Sequence, residues 1–170
     1  MIRVDKETTK LPVVYDASAR AGRNSPSLND CLHAGPPLSL YMGLRMNEIA
    51  ITGDIEKAFL NVSVDPSNQD YLRFLWVDDV TSRHPNIQVY RFARDAFHVS
   101  PSPFLLNATV RHHLTSTDIP REFADKVLKS LYVASFVGGD DSDDCVFEMY
   151  KELMSSFIDA GFNEKSWSWS

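Results

Sequence analysis

No stretch of the 170-residue chain approaches the ~20 consecutive apolar residues that a membrane-spanning helix needs. The start, Met1 to Lys10, is polar and lacks the apolar core of a secretory signal. Cysteine is scarce: Cys31 and Cys145 stand far apart, and neither has a second Cys or His at zinc-finger spacing. That excludes a disulfide scaffold. It leaves two reduced, buried thiols in an intracellular setting, cytoplasmic or nuclear, as the expectation. An excess of basic charge is missing too. The net charge of −6 argues against a free-standing nucleic-acid binder, which usually carries a basic face. There is no internal repeat and no low-complexity tract. With 44% apolar and 24% charged residues, the chain has the balance of an ordinary globular domain, long enough to bury roughly 70% of its unfolded surface.

Charge is unevenly placed. Arg91, Arg94, Arg111 and Arg121 make the middle fairly basic, while Asp140, Asp141, Asp143, Asp144 and Glu148 form one acidic stretch. Leu11 to Tyr15 reads as a short strand, followed by a long loop rich in Gly, Ser, Asn and Pro from Ala19 to Pro37. Leu38 to Met46 reads as helix, and Ile49 to Thr52 as a β-rich approach ending at Gly53-Asp54. Leu72 to Val77 and Ile87 to Phe92 read as a hairpin, with Asp78, Asp79, Pro85 and Asn86 marking the turn. A helix is expected from Ser102 or Pro103 to about Leu114, a second from Arg121 to Lys129. Ser130 to Val137 reads as one buried strand ended by Gly138-Gly139. Val146, Met149, Tyr150, Leu153 and Phe157 fall on one stripe of a helix from Asp143 to Ala160. Ser142 is placed to cap its start, and Gly161 to close its end. Strands and helices without strict alternation indicate an α+β fold.

Asp54 is the most informative residue. A carboxylate at a strand end facing a cleft is suited to holding a divalent cation, although a lone Gly-Asp is more often a turn or a cap. The surrounding strings sharpen that reading. VVYDASARAGRNSPSLNDCLHAGPPL, ITGDIEKAFLNVSV, YLRFLWVDD, YRFARDAFHVSPSPFLLNATVRHHL, SLYVASFVGGDD and AGFNEKSWS occur in this order. Together they resemble the reverse transcriptases of BEL/Pao-type retrotransposons over nearly the whole chain, Leu11 to Trp167. The resemblance implies a right-hand polymerase core, with a fingers-like segment over about 1–48 and a palm over about 49–170. Its palm is an antiparallel sheet backed by helices, without the thumb or RNase H regions. It implies RNA- or DNA-templated DNA synthesis on a primer–template with deoxynucleotides and Mg2+ or Mn2+, two ions clamping an in-line phosphoryl transfer. Asp54 matches the residue that holds both ions, and Ile55 the one that lends a backbone carbonyl. Phe59 matches the bulky residue that excludes a ribose 2′-OH. Phe97, Ser102 and Pro103 match the segment around the nascent base pair.

The chain departs from the pattern where the chemistry is concentrated. The family's Tyr-Val-Asp-Asp is here Tyr132-Val133-Ala134-Ser135, so Ala134 and Ser135 occupy the places of two metal-binding carboxylates. Pro12 stands where an Arg meets the triphosphate, Ser166 where a Lys precedes Trp167, and His98 where the family has Gly. The expectation is a catalytically dead polymerase domain that binds metal weakly or not at all. The alternative is a non-catalytic palm-like module that binds nucleic acid or a protein partner. Gly139-Asp140-Asp141 mimics a polymerase motif but lies five residues past the matching position; those acids read as flanking a helix N-terminus. His112 and His113, adjacent on a helix, point about 100° apart and make a poor metal pair. Trp167 and Trp169 read as core or as an exposed end.

Overall fold

The computed structural model describes residues 15–35, 47–79 and 81–169, with the backbone alone for 163–169. The strand expected from Leu11, Pro12 and the helix expected over Leu38 to Met46 lie outside the described residues. Four antiparallel strands form the main sheet in the order β4-β5-β1-β6: β1 is Ile49–Glu56, β4 Leu131–Tyr132, β5 Ser135–Asp140 and β6 Asn163–Trp169. A separate hairpin pairs β2 (Arg73–Val77) with β3 (Ile87–Arg91). One-turn helices α1 (Leu28–Cys31) and α2 (Ala58–Asn61) precede three longer ones: α3 (Ser102–Ser116), α4 (Arg121–Ser130) and α5 (Asp143–Asp159). The fold is α+β, as the mixed pattern predicts.

Alternation along β1 sets the layers. Ile51, Gly53 and Ile55 are buried, whereas Thr52 and Glu56 are half-buried and Asp54 is exposed, because successive side chains of a strand point to opposite faces. The buried face packs Ile51, Ile55 and Phe136 against Leu106, Val110 and Leu114 of α3. Val127 of α4 and Val146, Met149, Leu153 and Phe157 of α5 complete that core. Fully burying a side chain such as Leu153 or Phe157 stabilises the fold by about 1.5–3 kcal/mol. A smaller cluster of Ala17, Leu72, Ala96 and Val99 holds the chain's early segment to the hairpin. Helix α5 ends in a Schellman motif: Gly161 has φ +78°, its N–H donates to the Ile158 carbonyl, and the Phe162 N–H donates to that of Phe157.

Several expectations are corrected. The apolar run Ser130 to Val137 is a hairpin, with Val133 and Ala134 in the turn between β4 and β5. The second strand continues through Gly138-Gly139 to Asp140. Gly139 sits mid-strand because an added Cβ would lie 2.3 Å from the Ile49 carbonyl oxygen. Asp54 lies two residues inside β1, since pairing with β6 carries that strand on to Glu56, with a register shift between Asp54 and Ile55. The loop after Ala19 contains α1, closed by a capping box between Ser27 and Asp30. Ser142 occupies the N-cap of α5, but its side chain makes no capping bond. Cys31 and Cys145 are free, yet both are exposed; each sits on the solvent side of its helix, with neighbours supplying the core.

Candidate functional site

The β1–β5 pairing brings the predicted site residues together. Asp54 is opposite Ser135 in the register, with Ser166 of β6 opposite it on the other side. The Ser135 hydroxyl donates to Asp54 Oδ1 at 2.6 Å. One residue on, the Ile55 N–H donates to the Ala134 carbonyl at 3.0 Å, so the hairpin tip is tied to β1 at two points. Ile55 itself is buried. The tip is strained: Val133 has φ +54° while Ala134 is not in the positive region. That is the sign pattern of a II′ turn, whose first position favours Gly, and for a β-branched residue it is an outlier.

Beyond β1 the chain reverses at Lys57, φ +50°, which starts α2 and swings Phe59 into the core. The Phe59 ring meets Phe97 edge-on, centroids 4.8 Å apart. Phe59 is buried and Phe97 is 50% exposed, so the pair presents one ring to solvent. His98, next along, has φ +67°. A side chain there bears a backbone penalty that Gly does not, which gives a physical reason for the Gly of the resembled pattern.

Ser102 and Pro103 open α3, with Pro101 at its N-cap. Ser102 is buried, and its hydroxyl lies 2.6 Å from Asp95 Oδ1 and 2.8 Å from the Ala96 carbonyl. Asp95 also accepts from the Ala96 N–H at 2.9 Å, while its Oδ2 is buried without a partner. Burial pushes its carboxyl above the ordinary carboxylate value, the bonds from Ser102 and Ala96 opposing that shift only in part. Sequence reasoning missed Asp95. An acid between Arg94 and Ala96 gives no sign that it is internal.

No protein-family model matches the chain, and no curated protein matches its sequence.

The donor set at Asp54 does not fit a pair of divalent ions. It holds one carboxylate, one oxygen of which already accepts the Ser135 proton, while Ala134 offers only a methyl group and a carbonyl used by Ile55. Among the described residues no three His, Cys, Asp or Glu side chains converge as metal ligands. The neighbouring acids are engaged elsewhere. Asp140 pairs with Lys126 at 2.6 Å, and that bond holds its carboxyl below the usual range. Asp141 accepts from the Glu48 N–H at 3.0 Å. His112 contacts Ser116, and His113 Nε2 bonds the Ser156 carbonyl at 2.9 Å, so the two histidines do point apart.

Proposed function

We propose that the chain is a polymerase palm of the BEL/Pao reverse-transcriptase type, with part of the fingers, that does not synthesise DNA. The observation that carries this reading is the 2.6 Å contact of Ser135 with Asp54 across paired strands. The residues whose strings resemble the family's metal-binding motifs meet on the two central strands of the sheet, on the face not covered by helices. In the family that face meets the primer–template and the deoxynucleotide, and Mg2+ or Mn2+ there stabilises the attacking and leaving oxygens. In this chain Asp54 supplies one acid where the family supplies three. Losing even a partner behind a metal ligand costs roughly 10- to 100-fold in affinity or activity, and loss of two ligands themselves costs more. The edge-on contact of Phe59 with Phe97 just past β1 supports a nucleotide pocket of the resembled type.

Metal-dependent primer extension tests the proposal. The chain as given is expected to add no nucleotide, and Ala134→Asp with Ser135→Asp to restore measurable extension that Asp54→Asn abolishes. Incorporation by the unaltered chain would overturn it.

One observation favours a second reading, a binding module without chemistry. The β2–β3 hairpin leaves Leu75, Ile87 and Val89 exposed on one face and Trp76 and Tyr90 on the other, and exposed apolar patches mark interaction sites. A gel-shift assay with primer–template separates the readings. Weak binding is expected of the inactive palm, whereas tight, salt-sensitive binding without synthesis supports the module.

A further inference from the structure

The two faces of the β2–β3 hairpin differ in chemistry. Side chains alternate along each strand, so Phe74 and Trp76 share one face with Gln88 and Tyr90. Arg73 and Arg91 lie on the other face, where both pair with Asp70. The aromatic face continues beyond the paired residues. The Phe74 ring lies 4.8 Å from that of Phe92 and 5.9 Å from that of Tyr90, within 35° of parallel to each. Tyr15 stands nearly upright against this row, 5.3 Å from Phe92 with the planes at 72°. Together with Trp76 these rings line a groove of about 610 Å3, a volume within the range of small-molecule sites.

The charge in the groove has one sign. Asp16 lines it, and among the described residues no Lys, Arg or His does. Asp16 Oδ1 accepts the Ser18 N–H at 3.0 Å, and no basic side chain pairs with the acid among the described residues. The tyrosine hydroxyl protons are engaged within the fold: Tyr15 donates to the Arg73 carbonyl, and Tyr90 to Gln88 Oε1. Burial pushes the Tyr15 phenol above its ordinary value, so that ring stays neutral. The groove therefore offers π faces and an acid, an unfavourable setting for a phosphate or a carboxylate.

The face of an aromatic ring is electrically negative and attracts a cation within about 6 Å of its centre, Trp most strongly. A primary ammonium is strongly hydrated and carries three donors, for which this groove has few acceptors. A quaternary ammonium has no N–H to satisfy and turns methyl groups to the rings. We propose that the groove binds a small free quaternary-ammonium compound, with the aromatic rings as its walls and Asp16 supplying the opposite charge. This site is separate from Asp54 and does not rest on the polymerase reading.

Amide NMR titration of the whole chain tests the proposal with choline and with 3,3-dimethylbutan-1-ol, in which carbon replaces the charged nitrogen. Choline should give saturable shifts confined to residues 15–16, 74–76 and 90–92, with a dissociation constant of about 1 mM or tighter. The neutral analogue should bind at least about fivefold more weakly. Trp76 is half-exposed, so it can be replaced without opening a core. Trp76→Leu, which keeps apolar area, should weaken choline about fivefold, and Trp76→Phe, which keeps a π face, should weaken it less. Asp16→Asn should weaken it about twofold or more. Absence of saturable shifts with choline would overturn the proposal, as would equal affinity for the neutral analogue. Tighter binding of a proline-rich peptide than of choline would also overturn it, by assigning the groove to a protein partner.

Discussion

Replacing Ser102 with Ala probes the least obvious feature of the structure, a buried carboxylate. The Ser102 hydroxyl has one proton and two acceptors within reach, Asp95 Oδ1 at 2.6 Å and the Ala96 carbonyl at 2.8 Å. If Asp95 is ionised, that proton goes to the carboxylate and the carbonyl goes without. If Asp95 is protonated, its own proton goes to Ser102 Oγ, whose hydrogen then serves the carbonyl, and both short contacts become proper bonds. Burial raises the Asp95 carboxyl above its ordinary range, the bonds from Ser102 and Ala96 opposing that shift. Removing the hydroxyl leaves buried acceptors without their partner, which costs about 1–3 kcal/mol, so Ser102→Ala should cost about 2 kcal/mol. In a domain of this size that is about 4–8 °C in Tm. The assay is a double-mutant cycle with Asp95→Asn by denaturant unfolding, in which the Ser102 effect should shrink by at least about 0.5 kcal/mol. The pH dependence has a definite sign. The folded-state pKa is raised, so the contribution of Asp95 is fully present below its ordinary value of 3.8 and is lost as pH rises through the raised folded value. Asp95→Asn should flatten that loss. A Ser102→Ala effect unchanged in the Asp95→Asn background would refute the coupling.

Two further predictions concern backbone. His98→Gly should raise stability by about 1 kcal/mol, since φ is +67° there, while His98→Ala should give no gain; equal effects of the two in denaturant melts would show that side-chain contacts dominate. Gly139→Ala should cost about 3 kcal/mol or more, because the new Cβ meets the Ile49 carbonyl at 2.3 Å. It should also weaken protection of β1 and β5 amides in hydrogen exchange, and unchanged protection would contradict the assigned register.

Elements written in local pattern were legible in the sequence. The stripe Val146, Met149, Leu153 and Phe157 predicts α5 and is buried as expected. The arrangement of Asp78 and Asn86 predicts the hairpin loop and closes it through bonds between these two residues. Features set by distant partners were not. The Val133-Ala134 turn lacks Gly, Asn or Asp, so the run reads as one strand; contacts to Asp54 and Ile55 from some eighty residues earlier hold it bent. Gly138-Gly139 reads as a stop because Gly usually punctuates strands, yet here close neighbours require it. Strand β6 has no apolar alternation over Asn163 to Ser166 and exists by pairing with β1. At the candidate site, the resemblance puts Asp54, Ala134 and Ser135 in one motif set, and the strand register sets Asp54 opposite Ser135. The tie of Ser102 to Asp95, which makes Ser102 part of the core, was not legible.

Manganese binding followed by electron paramagnetic resonance tests the central claim most directly. The account predicts that the chain as given seats no pair of ions, whereas Ala134→Asp with Ser135→Asp seats two per chain, lost again on Asp54→Asn. Two ions held beside Asp54 in the unaltered chain, or none after both acids are restored, would contradict it.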